Sequence, residues 1–265
     1  MKKTIKKIVV MAMALFFSIS SCKKEENDFE LGTSEDNSAF ELSFDEIYKE
    51  VAAAANDQGL KKAGFPLITI DSSVTPYKMN IDYGITNYLC KDGNLRRGKI
   101  FVTWTGFYRA KGTKIEISFD NFYQNNKSIK GQKTIENLGR NSNGKLYYEI
   151  NVNANITGTD GLTHYWKSKR TRTWLEGEST LTSLDDIYEI TGNAEGTSRK
   201  GISYTVSIIS PLRVDLSCEW RIVKGIITLT PAGNPERKLD FGNGSCSSEV
   251  TLTVNGRSKT FNRTK

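Results

Sequence analysis

The chain has 265 residues, of which 37% are apolar, with 37 Lys and Arg, 30 Asp and Glu, one His and four Cys. That apolar share excludes a chain disordered by composition, and a single His leaves little for a metal centre or a histidine-dependent catalyst. The formal charge of +7 is uneven: four lysines lie in residues 1–21, residues 22–50 hold three Lys and ten acids, and residues 51–265 hold thirty bases and twenty acids. A cationic body behind an acidic segment favours anionic partners over long range without implying a specific nucleic acid.

In chain order, Lys2, Lys3, Lys6 and Lys7 precede "IVVMAMALFF" and the small pair Ser20 and Ser21. This is the layout of a signal peptide over residues 1–21, too short for a permanent membrane span. The stretch Ile19-Ser20-Ser21-Cys22 resembles a bacterial lipobox, which implies that Cys22 becomes an acylated N-terminus and tethers a soluble body to a membrane. The following "KKEEND" resembles the signal that sends Bacteroidota lipoproteins to the outer face of the outer membrane; a periplasm-facing position is the alternative. Residues 22–42 read as an acidic flexible tether. Over residues 43–65, Ser43 and Glu46 have capping-box spacing and an alanine run leads to Gly59, so a short helix is expected there. Its narrow apolar stripe of Phe44, Ile47 and Val51 predicts weak docking on the body, or none.

From Phe65 the period becomes two. In "KLYYEINVNANI", Leu146, Tyr148, Ile150, Val152, Ala154 and Ile156 share one face, with Tyr147, Glu149 and three Asn on the other. Segments 98–105, 114–119, 201–209 and 249–254 alternate similarly, separated by turn pairs such as Asn143-Gly144 and Asn255-Gly256. The fold class over 66–265 is therefore all-β, an antiparallel meander forming an extended sandwich or a curved sheet. Two echoes suggest related units of about 66–140 and 141–265: "NIDYGITNYLC" with "KLDFGNGSC", and "RGKIFVTWTG" with "KGIITLTPAG". Similar Gly-bounded hairpins would give the same echoes.

A hairpin turning near Gly233-Asn234 sets residues 218–221 opposite 246–249, so a Cys218–Cys246 disulfide would staple its open end. Two free thiols, or a bond to Cys90, remain open. "HYWKSKRTRTW" places Trp166, Arg170, Arg172 and Trp174 on one side of a strand. Such rings and guanidinium forks suit stacking and anion recognition, and equally a sheet face where Arg packs over Trp.

Catalytic provision is thin. His164 sits within a strand, sharing a face with Leu162 and Trp166, and reads as structural. No GxSxG elbow is present, Asp185, Asp186 and Glu189 lack calcium-loop spacing, and acids such as Glu176, Glu178, Asp185 and Asp186 could pair as glycosidic carboxylates but are too common to single out a site. Neither a cofactor nor a metal is expected. Residues 218–261, with "TRTWLEG" (171–177) and "YEITGNAEGTSRKGISY" (188–204), are similar to a large group of uncharacterised Bacteroidota surface lipoproteins. The similarity covers about 66–262 and implies address and fold, not chemistry. The function expected is that of a lipid-anchored, non-enzymatic envelope protein binding an anionic glycan or a partner protein. A structural or assembly subunit is the alternative, and an enzyme acting on polysaccharide a more distant one.

Overall fold

Phe40, Phe44, Ile47, Val51 and Ala54 recur at three- and four-residue spacing, the rhythm that aligns one helix face, and all five are buried. They lie on α1, Gly32–Asn56. The computed structural model describes residues 32–56, 65–180, 182 and 184–263. The signal segment, Cys22 and residues 23–31 of the acidic tether lie outside those residues.

Two expectations for this region are corrected. The helix begins at Gly32 instead of Ser43, so the tether does not reach residue 42. The inward face continues toward the N-terminus through Thr33, Asp36 and Asn37, which are buried but polar and so leave no apolar period to read. Their partners are Arg237, Arg199 and Trp166, far away in sequence. Nor is docking weak. The Phe40 ring stacks on Trp166 at 5.4 Å, and Phe44 meets Phe119 edge-on at 5.9 Å. Burying each such side chain contributes about 1.5–3 kcal/mol.

The rest of the body is one open sheet. Its strands are β1 (Leu67–Asp71), β2 (Tyr77–Asp82), β3 (Tyr88–Leu89), β4 (Leu95–Trp104) and β5 (Lys114–Gln124). They continue with β6 (Lys127–Arg140), β7 (Leu146–Thr157), β8 (Thr163–Glu176), β9 (Ile187–Thr197) and β10 (Ser203–Asp215). The last four are β11 (Ile222–Pro231), β12 (Arg237–Asn243), β13 (Glu249–Val254) and β14 (Arg257–Asn262). Each pairs antiparallel with the next in a meander, except that β3 adds beside β4 while β2 pairs β4 directly. A single sheet forms, not a sandwich, because short turns return each strand to its neighbour.

Alternation decides the two faces. Val152, Ala154 and Ile156 of β7 point into the core beneath α1, Leu146 and Tyr148 point into a second inner cluster with Ile135 and Trp174, and Asn151, Asn153 and Asn155 point away. The Asn255-Gly256 turn, with both residues at positive φ, closes β13 onto β14 as its sequence requires. The proposed unit boundary at 140/141 falls in the β6–β7 hairpin, where pairing runs from Ser128–Thr157 to Arg140–Leu146 with one bulge between Asn137 and Gly139, so the sheet does not divide there.

The sequence echoes have a local cause. Asp82 accepts the Gly84 N–H at 2.8 Å, and Asp240 accepts the Gly242 N–H at 2.9 Å. Asp82 stands opposite Lys99, just after Gly98, and Asp240 stands opposite Ile226, just after Gly225. Gly98 and Gly225 both have positive φ, and a Cβ on either would lie 2.1 or 2.5 Å from a neighbouring carbonyl oxygen. Both sites are therefore glycine bulges. The Asp-aromatic-Gly strand comes first in one pair and second in the other, so the echo is shared bulge chemistry in opposite chain order.

Cys218 and Cys246 are disulfide-bonded across the open end of the β11–β12 hairpin, with Cα atoms 5.6 Å apart. Cys90 is a free buried thiol, and burial pushes its pKa up.

Candidate anion-binding site at the arginine–tyrosine cluster

Strand β8 carries the row singled out in the sequence, and alternation does put Trp166, Arg170, Arg172 and Trp174 on the inner face. That face is covered, so the row is not an open surface. Trp166 is 3% exposed and donates Nε1–H to Asn37 of α1 at 3.0 Å. Arg170 is 8% exposed and pairs with Glu41 of α1 at 2.9 Å. Trp174 is 5% exposed and donates to Asp186 at 3.1 Å. Arg172 alone of the four stays half-buried.

Its surroundings are unusual. The Arg172 guanidinium lies 4.9 Å from the Tyr188 ring, 5.3 Å from Tyr148, 5.8 Å from Tyr48 and 5.9 Å from Tyr108. Register explains two of these, because Tyr148 is the direct cross-strand neighbour of Arg172 and Tyr188 that of Trp174. Tyr108 comes from the β4–β5 loop and stacks on Tyr148 at 4.8 Å. Arg172 donates one Nη2 hydrogen to the Tyr108 hydroxyl. Its Nε–H is buried without an acceptor, and the Tyr148 hydroxyl is buried without a partner. Among the described residues no carboxylate lies within 4.0 Å of Arg172. Buried polar groups ordinarily have partners, and orphaned ones mark strain or an unseen ligand.

More cations gather at the rim. Arg109 lies 4.7 Å from the Trp174 ring and donates to the Glu178 carbonyl at 2.7 Å. Arg140 pairs with the Glu178 carboxylate, and the Lys145 ammonium reaches the Leu175 carbonyl at 2.6 Å. The hydrogen bond from Arg140 holds the Glu178 pKa below its ordinary value. Asp186 spends its oxygens on Trp174 and on the Tyr188 hydroxyl, the latter at 2.7 Å. Burial raises the pKa of Tyr148 and Tyr188, keeping both as neutral hydroxyls. Arg109, Arg140, Lys145 and Arg172 thus gather near the carboxylates of Glu176, Glu178 and Asp186, each already engaged by a partner. A hollow of about 350 Å³ at the rim is lined by Lys145, Leu175, Glu176, Gly177, Glu178 and Ser179, and Arg172 does not reach it.

The other expected chemistry is dispersed. Glu176 pairs with Arg213 at 2.8 Å, and Asp185 accepts the Thr180 hydroxyl at 2.9 Å. With Glu178 on Arg140 and Asp186 on Trp174, the four candidate carboxylates serve separate partners. His164 is buried against Phe40, its Nδ1 lying 4.0 Å from Asp36, and burial lowers its pKa. Leu162, expected on the face of His164, is 48% exposed in the preceding turn. Among the described residues no group of three or more His, Cys, Asp or Glu is placed to hold a metal ion. Sequence reasoning missed Arg109, Arg140, Tyr108 and Tyr188. Only Tyr188 carried a usable signal, its inward parity on a strand.

Compared with known proteins, the chain matches no family model, no curated protein and no solved structure.

Proposed function

We propose that this chain is a lipid-anchored, non-enzymatic protein of the outer-membrane surface, akin to Bacteroidota surface lipoproteins, that binds an anionic glycan at the arginine–tyrosine cluster. The observation that carries the reading is Arg172: a guanidinium with a buried, acceptor-less Nε–H, ringed by tyrosines and beside an orphaned Tyr148 hydroxyl. A sulfate or carboxylate would accept from both, in the fork geometry that guanidinium favours. Trp174 contributes by holding Arg109 over its ring, and Trp166 and Arg170 by fixing β8 beneath α1. The Cys218–Cys246 disulfide supports an oxidising, extracytoplasmic setting, as the proposed anchor at Cys22 requires. A structural or assembly subunit is the second reading, favoured by the edges β1 and β14, which are unpaired among the described residues.

The test is calorimetric titration of the full chain with sulfated and uronic oligosaccharides and their neutral counterparts. Arg172→Gln should weaken binding of the charged set at least about tenfold, the loss of one charge-assisted contact. Equal affinity in parent and variant would contradict the reading.

A further inference from the structure

A groove of about 1180 Å³ lies on the other face of the sheet, away from α1. It exceeds the roughly 300–1,000 Å³ usual for small-molecule sites, so its scale suits an extended ligand. Its floor is built by register. Asn155, Tyr165, Thr197 and Ser203 stand directly opposite one another across β7, β8, β9 and β10. The next outward row is Asn153, Lys167, Glu195 and Thr205 on the same strands. The β11–β12 turn, from Pro231 to Pro235, forms a wall.

Three observations define what would fit. The side chains of Asn153, Asn155, Thr197, Ser203 and Thr205 make no hydrogen bond to other described residues, so their amides and hydroxyls are available to a ligand. Tyr165, 55% exposed among them, offers an uncovered ring. The only two charges on these rows, Lys167 and Glu195, pair at 3.7 Å and cancel. Available amides and hydroxyls around a bare ring, with no net charge, match a neutral polyhydroxylated chain: hydroxyls bond the amides, and the apolar C–H face of a sugar ring covers the tyrosine. Strands fix the spacing, so little order is lost on binding.

We propose that this outer groove binds a neutral oligosaccharide, independently of the arginine–tyrosine cluster on the inner face. The experiment is calorimetry of the full chain with neutral hexaoses of glucose, xylose and mannose, each beside its sulfated form. At least one neutral hexaose should bind more tightly than about 1 mM. Tyr165→Ala and, separately, Asn155→Ala should weaken that binding about tenfold, while Arg172→Gln leaves it unchanged. Both substituted side chains face solvent, and an unchanged melting temperature would confirm an intact fold. The proposal is overturned if no neutral hexaose binds, if only sulfated forms bind, if Tyr165→Ala has no effect, or if Arg172→Gln abolishes the signal. Loss of sulfated-ligand binding alone would bear on the inner site only.

Discussion

Arg170 and Arg172 occupy consecutive inward positions on β8, yet the molecule treats them differently. Arg170, under α1, receives the Glu41 carboxylate at Nη2, although its Nη1 is buried without an acceptor. Arg172 receives tyrosine faces and one hydroxyl, and its Nε–H receives nothing. The same rule runs along the helix. Arg96, fully buried, is met by Asp92 and by Glu50 of α1, and Arg199 by Asp36 of α1. Asp36, Glu41 and Glu50 of α1 are therefore counter-charges of a cationic sheet face, and Arg172 has no such carboxylate among the described residues. This uncompensated cation beside neutral hydroxyls is where we propose that an external anion binds.

Breaking the covered region should have the largest effect. Phe44→Ala removes a ring from the helix–sheet interface and should cost about 3–5 kcal/mol in urea unfolding. A loss below about 1 kcal/mol would mean that α1 is not seated as described. A smaller contrast separates the two arginines. Glu41→Ala strands Arg170 beneath the helix and should cost about 1–2 kcal/mol, discounted because Glu41 is itself partly exposed. Arg172→Gln should leave stability within about 1 kcal/mol, since the lost cation–π contacts and the relieved desolvation offset each other. Equal costs for the two substitutions would erase the distinction.

The smallest effect is pH dependence in the covered region. Burial alone would raise the Asp92 pKa, but hydrogen bonds from Arg96 and Asn94 outweigh it and bring it down to about 2. A carboxylate depressed in the folded state contributes stability above its unfolded value, near 4, and loses that contribution as pH falls toward about 2. Asp92→Asn should flatten this part of the stability profile. A profile identical to that of the parent would remove Asp92 from the account.

The sheet was legible because one face is wet. Alternation in 145–156 separates buried Leu146, Tyr148 and Val152 from outward asparagines, and Asn255-Gly256 can hardly be anything but a tight turn. Counting outward from Gly233-Asn234 brings residues 218–221 opposite 246–249, which sets Cys218 near Cys246 but leaves the pairing itself to the structure, where a bulge between Lys224 and Ile226 shifts the register. The start of α1 was not legible: Thr33, Asp36 and Asn37 satisfy the helical period with polar groups whose partners lie on distant strands. The site was legible by halves. Parity placed Arg172 and Trp174 together, but it cannot say that a helix will cover Trp166. Nor can it bring Tyr108 and Arg109 from another loop onto β8, since that contact depends on how the strands are arranged in space.

The most direct test of the comparison is the Nε–H resonances of Arg170 and Arg172, followed by ¹⁵N NMR while the full chain is titrated with a sulfated hexasaccharide. The Arg172 signal should move downfield and gain protection from exchange as its vacant donor finds an acceptor, while the Arg170 signal stays in place. An unmoved Arg172 resonance under a saturating titration, or equal movement of both, would contradict an anion site at this end of β8.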